Sequence, residues 1–170
     1  GRPAGHATLG DKGDVIECDE IMLAIGRAPN TEALHVEKAG VELGRRGEIT
    51  VDRFSRTSAA HTYAIGDVTD RVQLTPVAIH EAMSFVQTAF HDNPTPADHQ
   101  NIPTAVVTTP EIGVVGMSET TALGMGHGID VYKSVFRPLK HTLSGRETRS
   151  TFKLIVDSKT DKVLGCHIFG

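Results

Sequence analysis

The sequence predicts a mixed fold, α/β in its first half and α+β in its second, and three observations carry this prediction. Short apolar strand patterns separated by turns occupy the chain up to residue 65. One amphipathic helix pattern follows over 75–90. Beyond a polar stretch at 92–101, strand patterns dominate. The 170 residues, 39% of them hydrophobic, suffice for one domain and the start of a second.

The first half begins with a hairpin pattern. Residues 7–25 predict a two-stranded meander around the glycine-rich turn 10–14, and the continuous apolar run 21–25 is typical of a buried strand. Three further elements are predicted before residue 66: a short helix over 32–34 capped by Thr31, a half-buried strand over 48–52 and a strand over 61–65.

The helix over 75–90 has the clearest start signal, because Thr75 offers a capping hydroxyl and Pro76 suits the first helical position. His80 and Glu81 are interpreted as a helix-surface pair, with a proton relay as the alternative. The apolar residues at helical spacing predict its buried face: Val77, Ala78, Ala82, Phe85, Val86 and Ala89.

The second half reads as strands with one short helix that begins at Ser118. Residues 92–101 contain two prolines and predict a linker between domains. The predicted strands cover 104–108, 112–116, 129–136, 151–157 and 163–169, with a turn over 157–162.

Composition excludes several classes of function. The net charge of −4 provides no basic surface for nucleic acid. No apolar run approaches the ~18 residues of a membrane-spanning helix, and no signal-peptide pattern is present. The two cysteines, Cys18 and Cys166, form no CxxC, so we expect buried, inert thiols and a cytoplasmic setting. The nine histidines lack metal-ligand spacing, and we expect no metal site.

Three motifs are candidates for ligand binding. Gly66-Asp67 follows an apolar strand pattern and presents a carboxylate where ligands of α/β sheets bind. Residues 74–78 open a helix whose N-terminus favours an anion or an electron-rich ring. Residues 24–30, with the sequence AIGRAPN, leave a strand pattern. Taken singly, each motif is explained as well by an ordinary turn or helix start.

In this order the motifs resemble the flavoprotein disulfide reductases of the pyridine nucleotide-disulfide oxidoreductase family. Residues 101–104 and 111–116 are similar to the entry into that family's dimerisation domain, and Leu164-Gly165 fits its final hairpin. Residues 136–140 and 144–146 look most like glutathione reductases of the plant and bacterial type.

This resemblance implies a division of the chain. Residues 1–30 would end the NAD(P)-binding domain and 31–91 would be the returning segment of the FAD-binding domain, both Rossmann-like. Residues 92–101 would be the linker, and 102–170 the N-terminal part of the α+β dimerisation domain. The implied cofactor residues are Gly66, Asp67, Leu74 and Thr75 for FAD, and Gly26, Arg27 and Gln73 on the NADP side.

The implied reaction passes electrons from NADPH to FAD, then to a redox disulfide and to oxidised glutathione, in a homodimer. The family's GxGxxG, CxxxxC and C-terminal His-Glu motifs are not found in these residues. We therefore expect a fragment of a larger enzyme that holds no catalytic residue and is inactive alone. Met83 stands where some glutathione reductases carry an arginine. The alternatives are a sibling reductase with another disulfide or a metal ion as acceptor, and a non-catalytic dimerisation module.

Overall fold

The computed structural model describes residues 5–9 and 14–170. The chain opens with an antiparallel hairpin of β1 (Gly5–Leu9) and β2 (Asp14–Cys18), which confirms the predicted meander. Residues 10–13 of the predicted turn lie outside the described residues. No helix in the described part of the chain is long and apolar enough to cross a membrane.

The buried strand predicted over 21–25 is wrong. This segment has no regular secondary structure, and Ile25 is 92% exposed. Met22 and Leu23 are exposed as well. A continuous apolar run becomes a buried strand only when other strands and side chains cover it. Within residues 5–9 and 14–170, no strand pairs with the segment 21–25.

A small core forms between residues 31 and 74, built from turns rather than strands. The strands predicted over 48–52 and 61–65 are wrong, because each contributes only an isolated bridge, Leu43 to Ile49 and Arg56 to Tyr63. Single hydrogen bonds to the backbone of other loops pair the N–H and carbonyl groups of these segments instead. For example, the N–H of Ile49 donates to the carbonyl of Val68 at 2.9 Å. The buried residues of this core are Val41, Ile49 and Ala64, with Val36, Val51, Ala59 and Val68 packed against them.

Contrary to the sequence prediction, the side chain of Thr31 does not cap the short helix but makes a contact elsewhere. A 3₁₀ turn does follow it, over Glu32–Leu34, and a second covers Val36–Ala39. The Thr31 hydroxyl caps neither turn and instead donates to the carbonyl oxygen of Gly47 at 2.6 Å. This buried side chain therefore ties the start of the segment to a loop 16 residues further along the chain.

The predicted long helix is confirmed as α1 (Thr75–Phe90), but its start and its buried face differ from the prediction. Leu74 is the N-cap residue, and Thr75 is the first helical residue. The buried positions follow the spacing i, i+4, i+7 and i+11 and are Val77, Glu81, Ser84 and Thr88. All of them except Val77 are polar. Of the predicted apolar face, only Val77 is fully buried, and Val86 is exposed.

Residues 92–101 run back along α1 and are fastened to it. The hydroxyl of Thr88 accepts from the N–H of Thr95 at 3.0 Å and donates to its carbonyl at 3.2 Å. About two turns nearer the start of α1, Nε2 of His80 accepts from the N–H of Asp98 at 3.2 Å. We call residues 92–101 the strap, because these contacts hold it against the helix.

The second half is a five-stranded antiparallel sheet with two short helices. The elements are β3 (Thr104–Val106), β4 (Ile112–Gly116), α2 (Glu119–Gly124), β5 (Ile129–Phe136), α3 (Lys140–Ser144), β6 (Ser150–Asp157) and β7 (Val163–Phe169). The strand order is β3-β4-β7-β6-β5. All five predicted strands are confirmed, with small shifts at the ends of β3 and β6. Ser118 caps α2 by accepting from the N–H of Thr121, and α3 was not predicted by the sequence pattern.

The predicted turn between β6 and β7 is organised by Asp157. Its carboxylate accepts from the backbone N–H of Lys159 and from the N–H and hydroxyl of Thr160. It also lies 2.8 Å from Nδ1 of His127. These contacts, led by the one with His127, lower the pKa of Asp157 to about 2.

This carboxylate predicts a specific pH dependence of stability. Since its folded pKa lies below the unfolded value of about 4, the stabilisation is complete above about pH 4 and is lost as the pH falls towards about 2. We expect Asp157→Asn to lower the urea midpoint at pH 5, and this deficit to shrink below about pH 4. Asp161→Asn in the same turn is the control; a deficit for Asp157→Asn that stays constant at low pH would contradict the assignment.

Candidate functional site

The Gly66-Asp67 motif forms a 3₁₀ turn, Gly66–Thr69, that packs against α1. Gly66 has a φ of +71°, and a Cβ added there would lie 3.1 Å from Cβ of Ala78 on the helix. The Thr69 hydroxyl closes the turn by donating to the carbonyl of Gly66 at 2.8 Å. The close approach expected of this glycine is therefore made, within the described residues, to the helix.

The Asp67 carboxylate is exposed to solvent. No donor to it is found among the side chains that the structure describes, those of residues 15 and 18–170, or among the described backbone N–H groups. The backbone of Asp67 is fixed, because its carbonyl accepts from the N–H of Asp70 at 3.1 Å. A carboxylate on a fixed turn with open acceptor sites can bind ligand hydroxyl groups at little ordering cost.

The start of α1 is open as well. The side chain of Leu74 cannot cap the helix, the first turn contains no acidic residue, and Pro76 follows Thr75. The N-terminal end of the helix therefore keeps its partial positive charge. Thr75 is exposed and Leu74 half-buried, and a cleft of about 440 Å³ opens here. Its lining combines the helix start with the strap and the entry to the sheet: Leu74, Pro76, Val77, His80, Asp98, Gln100, Asn101, Ile102 and Pro103.

Gly26, Arg27 and Gln73 were predicted to lie on the NADP side. The structure links Gln73 to the backbone of Arg27 through Asp70 and Arg46. Gln73 donates to the carboxylate of Asp70 at 2.7 Å. Arg46 forms an ion pair with Asp70, also at 2.7 Å, and donates to the carbonyl of Arg27 at 3.1 Å. Although its side chain is 62% exposed, Arg46 therefore bridges these two segments. Gly26 is exposed with a φ of +145°, and the Arg27 side chain is exposed too.

Glu81 of α1 is a buried acidic residue that contacts the Gly66–Thr69 turn. The expectation that it forms a helix-surface pair with His80 is wrong. Glu81 is 1% exposed. Its carboxylate accepts from the N–H of Gly66 at 2.6 Å and lies 2.9 Å from the Arg71 guanidinium. Nε2 of His99 donates to it at 2.6 Å. His80 points to the strap instead, so the two neighbours have separate partners.

Sequence reasoning missed the role of Glu81, Arg71 and His99. The available signal was spacing, since Glu81 follows Val77 by four residues and precedes Ser84 by three, which places it on one face with them. Its two side-chain partners, Arg71 and His99, come from a loop and from the strap. No periodic pattern connects them to the helix.

The thiols, the histidines and Met83 have the following positions. Cys18 and Cys166 are half-buried, so the expectation of full burial is wrong. Within the part of the chain that the structure describes, no group of three His, Cys, Asp or Glu side chains is arranged to hold a metal ion. Met83 is exposed on α1.

Comparison of the sequence with known protein families identifies two matching regions. The profile for pyridine nucleotide-disulphide oxidoreductases matches residues 2–82. The profile for the dimerisation domain of the same oxidoreductases matches residues 102–170. The chain belongs to the pyridine nucleotide-disulphide oxidoreductase family. Membership confirms the predicted mixed α/β class, and the antiparallel sheet lies within the dimerisation-domain match.

Similar members of this family are disulfide reductases by name. The chain is 45% identical to the glutathione reductase of Burkholderia cepacia, over 93% of this chain and 35% of that protein. It is 45% identical to the chloroplastic/mitochondrial glutathione reductase of Pisum sativum, over 94% and 29%. For the trypanothione reductase of Trypanosoma congolense the identity is 42%, over 97% and 34%. The chain thus spans about a third of the length of these relatives.

Solved structures of the family have the same fold. The HOCl-induced flavoprotein disulfide reductase RclA from Escherichia coli superposes with a TM-score of 0.82 at 31% identity, over 91% of this chain and 36% of that one. Its Cu(II) complex gives a TM-score of 0.83 at 29% identity, over 96% and 38%.

Proposed function

We propose that this chain is part of an FAD-dependent NADPH:glutathione-disulfide oxidoreductase. The observation that carries the proposal is the exposed carboxylate of Asp67, held on a turn that packs against the uncapped start of α1. The names of the relatives support glutathione disulfide as the substrate. The absence of a CxxxxC pair from these 170 residues supports the expectation that the chain alone is inactive.

The residues of the site fit a flavin. The Asp67 carboxylate would accept hydrogen bonds from the ribityl hydroxyls or lie near the diphosphate region, and Gly66 would keep its turn close to the helix. Leu74 and Thr75 would face the pyrimidine end of the flavin, where the positive end of α1 favours negative charge. When bound, FAD would supply the transfer of electrons between the nicotinamide and a disulfide.

The nucleotide side is proposed at Gly26, Arg27 and Gln73, where the contacts of Arg46 join two segments. We divide the chain as the resemblance implies, with 1–30 in the NAD(P) domain and 31–91 in the FAD domain. The strap then joins this part to 102–170, the dimerisation segment. A cytoplasmic location is part of the same proposal.

Exchange of the Asp67 carboxylate tests the flavin site. We expect Asp67→Asn to weaken FAD binding about tenfold or more, because a charge-assisted hydrogen bond is lost. Quenching of flavin fluorescence on titration with the native full-length enzyme, freed of FAD, measures the affinity, because the GxGxxG motif expected for FAD is not found in these 170 residues. Asp130→Asn is the control, since Asp130 is an exposed carboxylate on β5. Equal affinities of Asp67→Asn and wild type would contradict the assignment, and absence of FAD binding by the wild type would contradict the proposed function.

A sibling reductase with another acceptor is the second candidate. It is supported by the 42% identity to a trypanothione reductase. Met83 stands where some glutathione reductases carry an arginine; this weakens the glutathione assignment without removing it, because plant-like members also lack this arginine. Turnover of glutathione disulfide against trypanothione disulfide by the native enzyme separates the two.

A homodimer is proposed from the dimerisation-domain match. Exposed apolar side chains on β5 and β6 support it: Val131, Tyr132, Val135, Phe136, Phe152 and Leu154. Sedimentation equilibrium of the protein should give twice the monomer mass. A non-catalytic dimerisation module would show the same mass without binding FAD.

A further inference from the structure

The carboxylate of Glu81 joins three segments that are distant in sequence. Gly66 lies 15 residues before it, on the turn that carries Asp67. His99 lies 18 residues after it, on the strap. Arg71 reaches it from the loop between the turn and α1. All three contacts are 2.9 Å or shorter, so one side chain touches the turn, the loop and the strap at once.

Arg71 extends this cluster to the small core. Its guanidinium also donates to the hydroxyl of Ser55 at 3.3 Å, and its Nε donates to the hydroxyl of Thr69 at 3.3 Å. Ser55 and Thr69 are both buried. Glu81 therefore reaches both ends of the Gly66–Thr69 turn, one directly and the other through Arg71.

Burial makes this arrangement costly to disturb. A carboxylate taken out of water needs hydrogen bonds and opposite charge, and breaking one partner leaves a buried charge unsatisfied. Glu81 receives one backbone N–H, one guanidinium and one imidazole. A shift of the turn or of the strap would break at least one of these contacts, so the two are fixed relative to each other.

We propose that Glu81 is a positioning residue that holds the Asp67 turn and the strap in the one arrangement on which flavin binding depends. The inference rests on the proposed function, because Asp67 is assigned there to the flavin. Glu81 is buried, and its contact with the proposed flavin residues is made to the backbone N–H of Gly66. It acts through the backbone of Gly66 on one side and through His99, three residues before the dimerisation segment, on the other.

Glu81→Gln is the principal test, because the amide keeps the shape and an acceptor for Gly66 but removes the charge that faces Arg71 and His99. We expect FAD affinity to fall about tenfold, as for loss of a charged hydrogen bond. We also expect the Gly66 amide to exchange with solvent about tenfold faster relative to the slowest amides of the sheet. Glu119→Gln is the matched control, since Glu119 pairs with Lys153 at 3.0 Å on the other half of the chain.

His99→Gln extends the test if Glu81→Gln does not fold, because it removes one partner and leaves the other two. We expect the same direction of change in both measurements. Glu81→Gln and His99→Gln should also be non-additive in FAD affinity when combined. A loss of global stability with unchanged FAD affinity and unchanged relative exchange at Gly66 would show a merely structural role and overturn the proposal. If wild type binds no FAD, the proposed function fails, while the exchange of Gly66 still tests whether Glu81 holds the turn.

Discussion

Replacing Ile155 with alanine should lower the free energy of unfolding by about 2–5 kcal/mol, the usual cost of truncating a fully buried aliphatic side chain. Ile155 is 0% exposed. It lies on β6 between two neighbours, opposite Val131 of β5 and Gly165 of β7. The strands on both sides hold the backbone in place, so the space left by the missing atoms cannot close fully.

Urea denaturation followed by circular dichroism measures this loss. Ile79→Ala is the control, because it is the same substitution at a residue exposed on α1. We expect its effect to be below about 1 kcal/mol. Equal losses for the two variants would show that Ile155 is not in the core of the sheet.

Replacing Gly66 with alanine should combine a stability loss of about 1–3 kcal/mol with a loss of FAD affinity. Two physical effects contribute. The left-handed backbone disfavours any Cβ, and the new methyl group would press against Ala78 of α1. Either Ala78 or the turn must give way at this contact of 3.1 Å, and a shift of the turn moves Asp67 with it.

Two further variants separate these effects. Gly40→Ala has a similar positive φ of +79° but open space around the added Cβ, so it reports the backbone cost alone. We expect Gly40→Ala to lose about 1 kcal/mol and to bind FAD like wild type. Adding Ala78→Gly to Gly66→Ala should recover part of the FAD affinity. If Gly66→Ala behaves like Gly40→Ala in both measurements, the close approach to α1 does not position the site.

The second half of the chain could be predicted well because its strands form hydrogen bonds with one another. Each predicted strand finds its hydrogen-bonding partners within residues 104–169, and turns such as the one at Asp157 have local signals. The α3 helix was missed since it is short and contains neither a capping side chain nor a buried residue.

The first half could be predicted less well for the converse reason. The runs 21–25, 48–52 and 61–65 have apolar strand patterns, but pairing is a property of neighbours and not of the run itself. In the described residues the last two runs form single bridges and the first forms none. The small core around Ile49 is held instead by scattered backbone contacts that no periodicity indicates.

The candidate site divides in the same way. The family resemblance groups Gly66, Asp67 and Thr75 in one site, and in the structure the Gly66–Thr69 turn packs against α1, which begins at Thr75. Glu81 was misjudged because a charged residue on a helix is usually exposed. Its burial depends on Arg71 and His99, whose approach is a consequence of the tertiary fold.

The Asp67 turn and the start of α1 are proposed to form part of a flavin site. Titration of the ¹⁵N-labelled protein with FAD, followed by amide chemical shifts, tests this assignment, because binding in the millimolar range is still visible. We expect the largest shifts at Gly66, Asp67 and Thr75, and we expect Asp67→Asn to reduce them. Shifts that are confined to the antiparallel sheet, or that Asp67→Asn leaves unchanged, would contradict the assignment.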